Sequence, residues 1–147
     1  MNRKRVREVA AAAKAAGTLG SAARTLVPDL LPLLDARACR VPAVQALLSI
    51  APQDCGGVAP ETIADLLVTA AGDERLPAYE HDQALALLWD LHHHHPGAVG
   101  PQARARLRDL VESPARTRFG GPRAIAHTIR DDERFRTAIR GLLEELP

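Results

Sequence analysis

The chain has 147 residues and a formal net charge of +1, which is enough sequence for one domain with a buried core. Ala and Leu dominate its apolar residues, with only two Phe, one Trp and one Tyr, so the composition favours closely packed helices over strands. The near-neutral balance excludes a uniformly basic nucleic-acid-binding chain.

Two helices are predicted in the first part of the chain. The first covers residues 3–16, with its apolar side chains on one stripe and Gly17 as its stop. The second is predicted over residues 18–34. Pro28 and Pro32 should bend or restart it, because proline lacks a backbone donor and clashes with the preceding turn.

A helix-turn-helix unit is clearest in residues 30–50, where two apolar helical stretches flank a short polar turn at Asp35. The return helix is expected to carry Pro42 in its first turn, where a missing donor costs little. Looser copies of the unit lie in residues 61–91 and 102–129. Since such units cannot bury their apolar faces alone, they are expected to stack.

The remaining predicted helices follow the same scheme. Pro60 opens one helix, and its partner starts near Ala78. A third unit contains a polar loop in residues 113–121, and the last helix begins at Asp131 or Asp132 with acidic groups in its first turn. The pattern predicts an all-α chain of seven or eight helices with no strand.

The chain resembles a known family of helical repeats. Residues 27–34 place prolines among leucines, Asp35 follows in the turn, and residues 43–50 are rich in Ala and Leu. The Leu–Leu pairs at 47/48 and 87/88 fit the ~40-residue period of such repeats. In these residues the chain is similar to HEAT-repeat and armadillo-like α-solenoid proteins.

That resemblance implies a short right-handed α-solenoid of stacked antiparallel helix pairs, forming a single HEAT-like domain over residues 1–147. It implies an N-terminal cap helix in residues 1–17, about three helix pairs in residues 18–130 and a C-terminal cap helix in residues 131–147. It also implies a scaffold or adaptor function, compatible with a bacterial regulatory, defence or toxin-neutralising system.

Cysteine usage and hydropathy bear on the cellular setting. Cys39 and Cys55 are the two cysteines, no secretory apolar region opens the chain, and no apolar run approaches the ~20 residues that span a bilayer. We therefore expect a cytoplasmic protein that does not bind membranes and has reduced thiols, with one disulfide as the alternative.

Four consecutive histidines occupy residues 92–95 and are candidate metal ligands. On a helix only His92 and His95 share a face, and no CxxC or HExxH spacing is present. We expect no metal site and no cofactor. The run instead fits a polar helix end, or a pH-sensitive patch.

The segment around Phe119, Gly120 and Gly121 is a candidate anion-binding loop. A glycine-containing loop can bring several guanidinium groups together on one phosphate or carboxylate. The candidate residues are Arg116, Arg118 and Arg123.

The candidate partner-binding surface is the side of the second helices that lies opposite each apolar stripe. In HEAT-like stacks these helices line the concave face, and here the stripe changes along the chain from small and neutral to acidic and then to basic. Its residues are Ser49, Asp82, Asp90, His93, Arg123, His127 and Arg130.

Three functions remain open from the sequence. The first is a non-catalytic protein–protein interaction module that binds a partner through the concave face. The second is nucleic-acid binding, because residues 1–40 carry eight basic and three acidic side chains and residues 101–147 carry ten and seven. The third is a HEAT-like enzyme, a DNA glycosylase or a chromophore lyase, for which Trp89 and Asp90 are the motif. We expect a binding protein and no enzyme.

Overall fold

A computed structural model describes residues 2–113 and 125–146, with side chains from Arg130 onward in the second range. These residues form helices and turns with no strand, which confirms the all-α prediction. No helix among them is both long and apolar enough to cross a bilayer. The described residues contain seven α-helices, which are α1 Arg3–Thr18, α2 Val27–Leu30, α3 Arg37–Ile50, α4 Pro60–Gly72, α5 Ala78–His94, α6 Pro101–Glu112 and α7 Ile125–Glu145.

The segment predicted as one helix over residues 18–34 is broken by its prolines. It consists of a 3-10 helix Gly20–Leu26, the single turn α2 and a second 3-10 helix Leu31–Leu34. Pro28 and Pro32 each lie in the first turn of a new element, so the predicted restart is confirmed and the continuous helix is wrong.

Pro42 does not lie in the first turn of α3. The helix begins at Arg37, which puts Pro42 in its interior. Ala36 is extended before it, and the Cys39 amide already donates to the Ala36 carbonyl at 2.9 Å. Burial of the α3 side chains, including Val41 at 0% exposure, outweighs the local cost of an interior proline.

The C-terminal end also differs from the prediction of two helices divided near residue 130. Helix α7 is continuous, and Asp132 lies inside it at 1% exposure instead of at its start. Its carboxylate accepts from Nε of Arg136 at 2.7 Å, one helical turn later. Arg136 also donates to the carbonyls of Val111 and Ser113, which joins the end of α6 to the middle of α7.

Helices α3, α5 and α7 lie side by side, and α3 and α5 run in the same direction. Gln83 on α5 donates to Gln45 on α3 at 2.6 Å, and His95, just after α5, donates to the Pro52 carbonyl just after α3 at 2.7 Å. On the other side of α5, Arg134 donates to Asp82 at 2.7 Å. Helix α5 is therefore the middle helix of this row.

Helices α4 and α6 form a second row. Arg106 on α6 donates to the Thr69 hydroxyl on α4 at 2.8 Å, and Leu110 packs over Gly72 one turn further along. Helix α4 packs on α5, α6 packs on α7, and α1 packs on α3. The buried apolar residues between the rows form one cluster that extends from Ala13 to Leu146.

Candidate functional site

The structure brings some of the predicted partner-binding residues together on the outer side of α3, α5 and α7. Ser49 and Asp90 line one cleft between α3 and α5, and Asp82 lines a second cleft between α5 and α7. His93 is exposed beside the second cleft, and Arg130 is exposed on α7. We call this surface the α5 face.

The other predicted site residues cannot be placed in the same way. Arg116, Arg118 and Arg123, the candidate anion-binding loop, lie outside the described residues. His127 belongs to α7, but its side chain also lies outside the described part. Both predictions stay predictions.

The cleft between α3 and α5, which we call the polar cleft, has a volume of about 280 Å³. Hydroxyl, amide, carboxylate and imidazole groups surround it. Nδ1 of His94 donates to the Asp90 carbonyl at 2.9 Å, since a carbonyl oxygen can only accept. The Asp90 carboxylate is the anionic acceptor among these groups. Its lining is Gln45, Leu48, Ser49, Pro52, Leu87, Asp90 and His94.

The cleft between α5 and α7, which we call the apolar cleft, has a volume of about 340 Å³. The indole of Trp89 is half-buried in its wall, and the His93 ring packs on that indole with ring centroids 5.5 Å apart. The Arg134–Asp82 ion pair lies at its edge, partly exposed, where such a pair adds little stability. Its lining is Asp82, Leu85, Ala86, Trp89, Arg134, Ala138 and Leu142.

A narrow strip of α5 separates the two clefts. Ala86 and Asp90 are the exposed residues of this strip. Within residues 2–113 and 130–146, no cation forms an ion pair with the Asp90 carboxylate. A small residue and a carboxylate that pairs with no cation of the described part therefore lie between a polar cleft and an apolar one.

The histidine run makes local structural contacts. His93 and His94 donate to carbonyls one turn back on α5, and His95 donates to the Pro52 carbonyl. No group of three or more His, Cys, Asp or Glu in the described part of the chain is placed to hold a metal ion.

The thiol of Cys55 lies 3.5 Å from Nε2 of His95, which resembles a cysteine–histidine pair. However, this nitrogen carries the proton that it donates to the Pro52 carbonyl, so it cannot accept a proton from the thiol. Cys55 is 0% exposed, and burial raises the pKa of its thiol. The pair has neither the access nor the protonation state that a nucleophile needs. Cys39 and Cys55 are both free thiols, so the disulfide alternative is wrong.

A HEAT-like glycosylase or lyase would need a carboxyl of raised pKa beside Trp89. Burial raises the pKa of the Glu80 carboxyl, but Glu80 lines neither the polar nor the apolar cleft. The groups around Trp89 are instead apolar side chains, the His93 ring and the Arg134–Asp82 ion pair. This arrangement is suited to binding an apolar group.

A third cleft, of about 630 Å³, lies between the end of α4 and the start of α3, against α6. Sequence reasoning missed it, because Arg37 and Asp73 meet at 3.0 Å only through tertiary packing. Its other charged groups are Glu74, Arg75, Arg106 and Asp109, so its positive and negative charges balance. The cleft has no net charge that would select an anion or a cation.

Comparisons of the chain with models of protein families, with curated proteins and with solved structures found no match.

Proposed function

We propose that this chain is a non-catalytic protein-binding module, and that its helix pairs form a short HEAT-like α-solenoid with the α5 face as its concave, partner-binding side. The observation that carries the proposal is the pair of clefts on either side of α5. Ser49, Asp82 and Asp90, chosen as second-helix positions opposite the core stripe, all line these clefts.

The α5 face has features that protein interfaces share. Trp89 is half-buried and accessible from the apolar cleft, and tryptophan in such a position contributes strongly to binding energy. The residues of the face lie on helices whose buried sides belong to the core, so the surface is preorganised and loses little entropy on binding. The Asp90 carboxylate, which is exposed between the two clefts, would act on specificity and association rate.

Nucleic-acid binding through the basic ends is the alternative function. Helix α1 supports it, since it carries five exposed basic side chains and one exposed acidic one. These basic residues are Arg3, Lys4, Arg5, Arg7 and Lys14. Such binding would weaken steeply with salt, whereas a complex on the α5 face depends on burial of Trp89.

The test is affinity capture from cells of the source organism, with the full chain as bait and with and without nuclease. Three baits are compared: the wild-type chain, Ala86→Arg on the α5 face, and Ala105→Arg as the matched control on the exposed side of α6. Both substitutions place the same side chain at an exposed helical alanine.

We expect the wild-type and Ala105→Arg baits to recover one protein, and this recovery should persist after nuclease treatment. The amount recovered with Ala86→Arg should be lower by about tenfold or more, because the substitution blocks the centre of the interface. Equal recovery with the wild-type and Ala86→Arg baits would show that the interface lies outside the α5 face. Recovery that collapses with nuclease would favour the basic ends and overturn the proposal.

A further inference from the structure

The two clefts of the α5 face differ in the chemical groups that they can bind. The apolar cleft is lined by Leu85, Ala86, Trp89, Ala138 and Leu142, together with the ion pair at its edge. Because the ion pair already satisfies the charges of Arg134 and Asp82, an occupant gains chiefly by burying carbon against Trp89. One large apolar side chain meets that requirement.

The polar cleft is suited to a cationic group of the partner. The Asp90 carboxylate at its rim has no ion-pair partner in the described residues, and the Ser49 hydroxyl of the same cleft is a further acceptor. Residues 41–100 carry one basic and eight acidic side chains, so the surrounding field is also negative. A lysine ammonium or an arginine guanidinium, which are donors only, fits these acceptors.

The distance between the two clefts indicates the backbone conformation of the partner. They lie on either side of a single helix, and neighbouring helix axes are about 8–10 Å apart, so the clefts are separated by about that distance. On an α-helix, residues seven positions apart lie on one face and are about 10 Å apart along the axis. An apolar residue and a basic residue seven positions apart can therefore reach both clefts.

A helix also fits better than an extended peptide. Extended peptides gain affinity by adding to the open edge of a sheet, and the described residues form no strand. A helix satisfies its own backbone hydrogen bonds. The exposed Ala86 on the strip between the clefts lets it approach α5 closely.

We infer that the partner presents an α-helix that crosses α5 at Ala86, with a large apolar side chain in the apolar cleft and a lysine or arginine, seven positions away, in the polar cleft. This inference rests on the proposed protein-binding function and adds the chemistry of the ligand.

The test is selection from a display library of helical peptides of about 20 residues, long enough to fold alone, randomised on one face. The library is selected separately on the full wild-type chain, on Asp90→Lys and on Asp65→Lys. Asp65 is an exposed aspartate on α4, away from the α5 face, and is the matched control.

Wild-type and Asp65→Lys selections should enrich an apolar residue paired with Lys or Arg seven positions away. On Asp90→Lys the preference at the second position should invert to Asp or Glu, with a change of about tenfold or more in the ratio of basic to acidic residues. Inversion at this spacing supports the inference.

Absence of the pair from the wild-type selection, or a basic preference that Asp90→Lys leaves unchanged, overturns it. Failure here is distinguishable from failure of the proposed function. A natural partner that is lost from the Ala86→Arg bait upholds the α5 face as a protein-binding site even when the selected peptides lack the pair.

Discussion

At the scale of single residues, Gly56 lies where both backbone conformation and packing exclude a side chain. Its φ is +65°, and a Cβ built on it would lie 2.8 Å from Cγ1 of Val27 and 2.9 Å from Cδ2 of Leu47. The neighbouring Gly57 has φ +87°, but a Cβ there meets nothing within 4 Å. The two glycines therefore separate the conformational cost of a side chain from its steric cost.

We expect Gly56→Ala to lower the free energy of unfolding by about 2–4 kcal/mol, because left-handed strain adds to overpacking. Gly57→Ala is the matched control. It should lower the free energy of unfolding by about 1–2 kcal/mol, because it introduces left-handed backbone strain without a steric clash. Urea unfolding followed by circular dichroism measures both. Equal losses in the two variants would contradict the steric part of this account.

Glu80 is a second residue whose surroundings are informative. It is 7% exposed, its Oε2 has no hydrogen-bond partner among the described residues, and the Tyr79 hydroxyl lies 3.4 Å from Oε1. Burial raises the pKa of the Glu80 carboxyl above its ordinary value of 4.5. Burial and the nearby Glu80 both raise the pKa of the Cys39 thiol.

Because the pKa of Glu80 is higher in the folded chain than in the unfolded one, the stability that it contributes is complete below the ordinary pKa and is lost as pH rises through the raised pKa. Glu80→Gln cannot ionise and should keep this stability. The free energy of unfolding of Glu80→Gln relative to wild type should therefore increase with pH from about 4.5 upward and then level off.

Urea unfolding between acid and neutral pH measures this difference. Glu8→Gln, which changes an exposed carboxyl on α1, is the control and should follow the wild-type profile. A difference between Glu80→Gln and wild type that stays constant with pH, or that decreases as pH rises, would contradict the ionisation of a buried Glu80.

At the scale of secondary-structure elements, two helical glycines have opposite roles. Gly17 lies at the contact between α1 and α3, where an added Cβ would lie 3.2 Å from the backbone Cα of Ala46. Gly141 lies inside α7, where an added Cβ would meet nothing within 4 Å. The first glycine allows two helices to approach, and the second only weakens its own helix.

We expect Gly141→Ala to raise the free energy of unfolding by about 0.5–1 kcal/mol through helix propensity. Gly17→Ala gains the same propensity but forces α1 away from α3, so it should lower the free energy by about 1–2 kcal/mol. Thermal and urea unfolding of the two variants test the difference in sign. Stabilisation by both substitutions would show that α1 does not approach α3 so closely.

At the scale of the whole molecule, the buried residues form one cluster that runs from α1 to the end of α7. Trp89 is the single tryptophan and reports on α5 and α7, whereas circular dichroism reports on all helices. A continuous core of this size predicts one cooperative unfolding transition.

The midpoints of urea unfolding should therefore coincide when followed by Trp89 fluorescence and by circular dichroism. Gly17→Ala, which perturbs the distant contact between α1 and α3, should shift both midpoints equally. A fluorescence midpoint that Gly17→Ala leaves in place would show that the α1–α3 end unfolds independently of α5 and α7.

Much of the fold is predictable because it is a local property. Apolar residues at helical spacing, few aromatic side chains and few β-branched runs favour helices, and Pro60 and Pro101 begin α4 and α6. Three residues of the candidate site were also predictable, since Ser49, Asp82 and Asp90 follow from taking the side of each helix opposite its apolar stripe.

Other features depend on which elements meet, and periodicity does not encode that. Pro42 is tolerated inside α3 because the helix is buried against its neighbours, and α7 continues through Asp132 because Arg136 pairs with it and binds the end of α6. The clefts of the α5 face likewise arise between helices far apart in the chain. The sequence by itself determined an all-helical chain and the outward side of its helices, because helix propensity and amphipathic spacing act over a few residues. Only the tertiary structure decided the clefts and the buried ion pair, because burial and packing are set by contacts between distant residues.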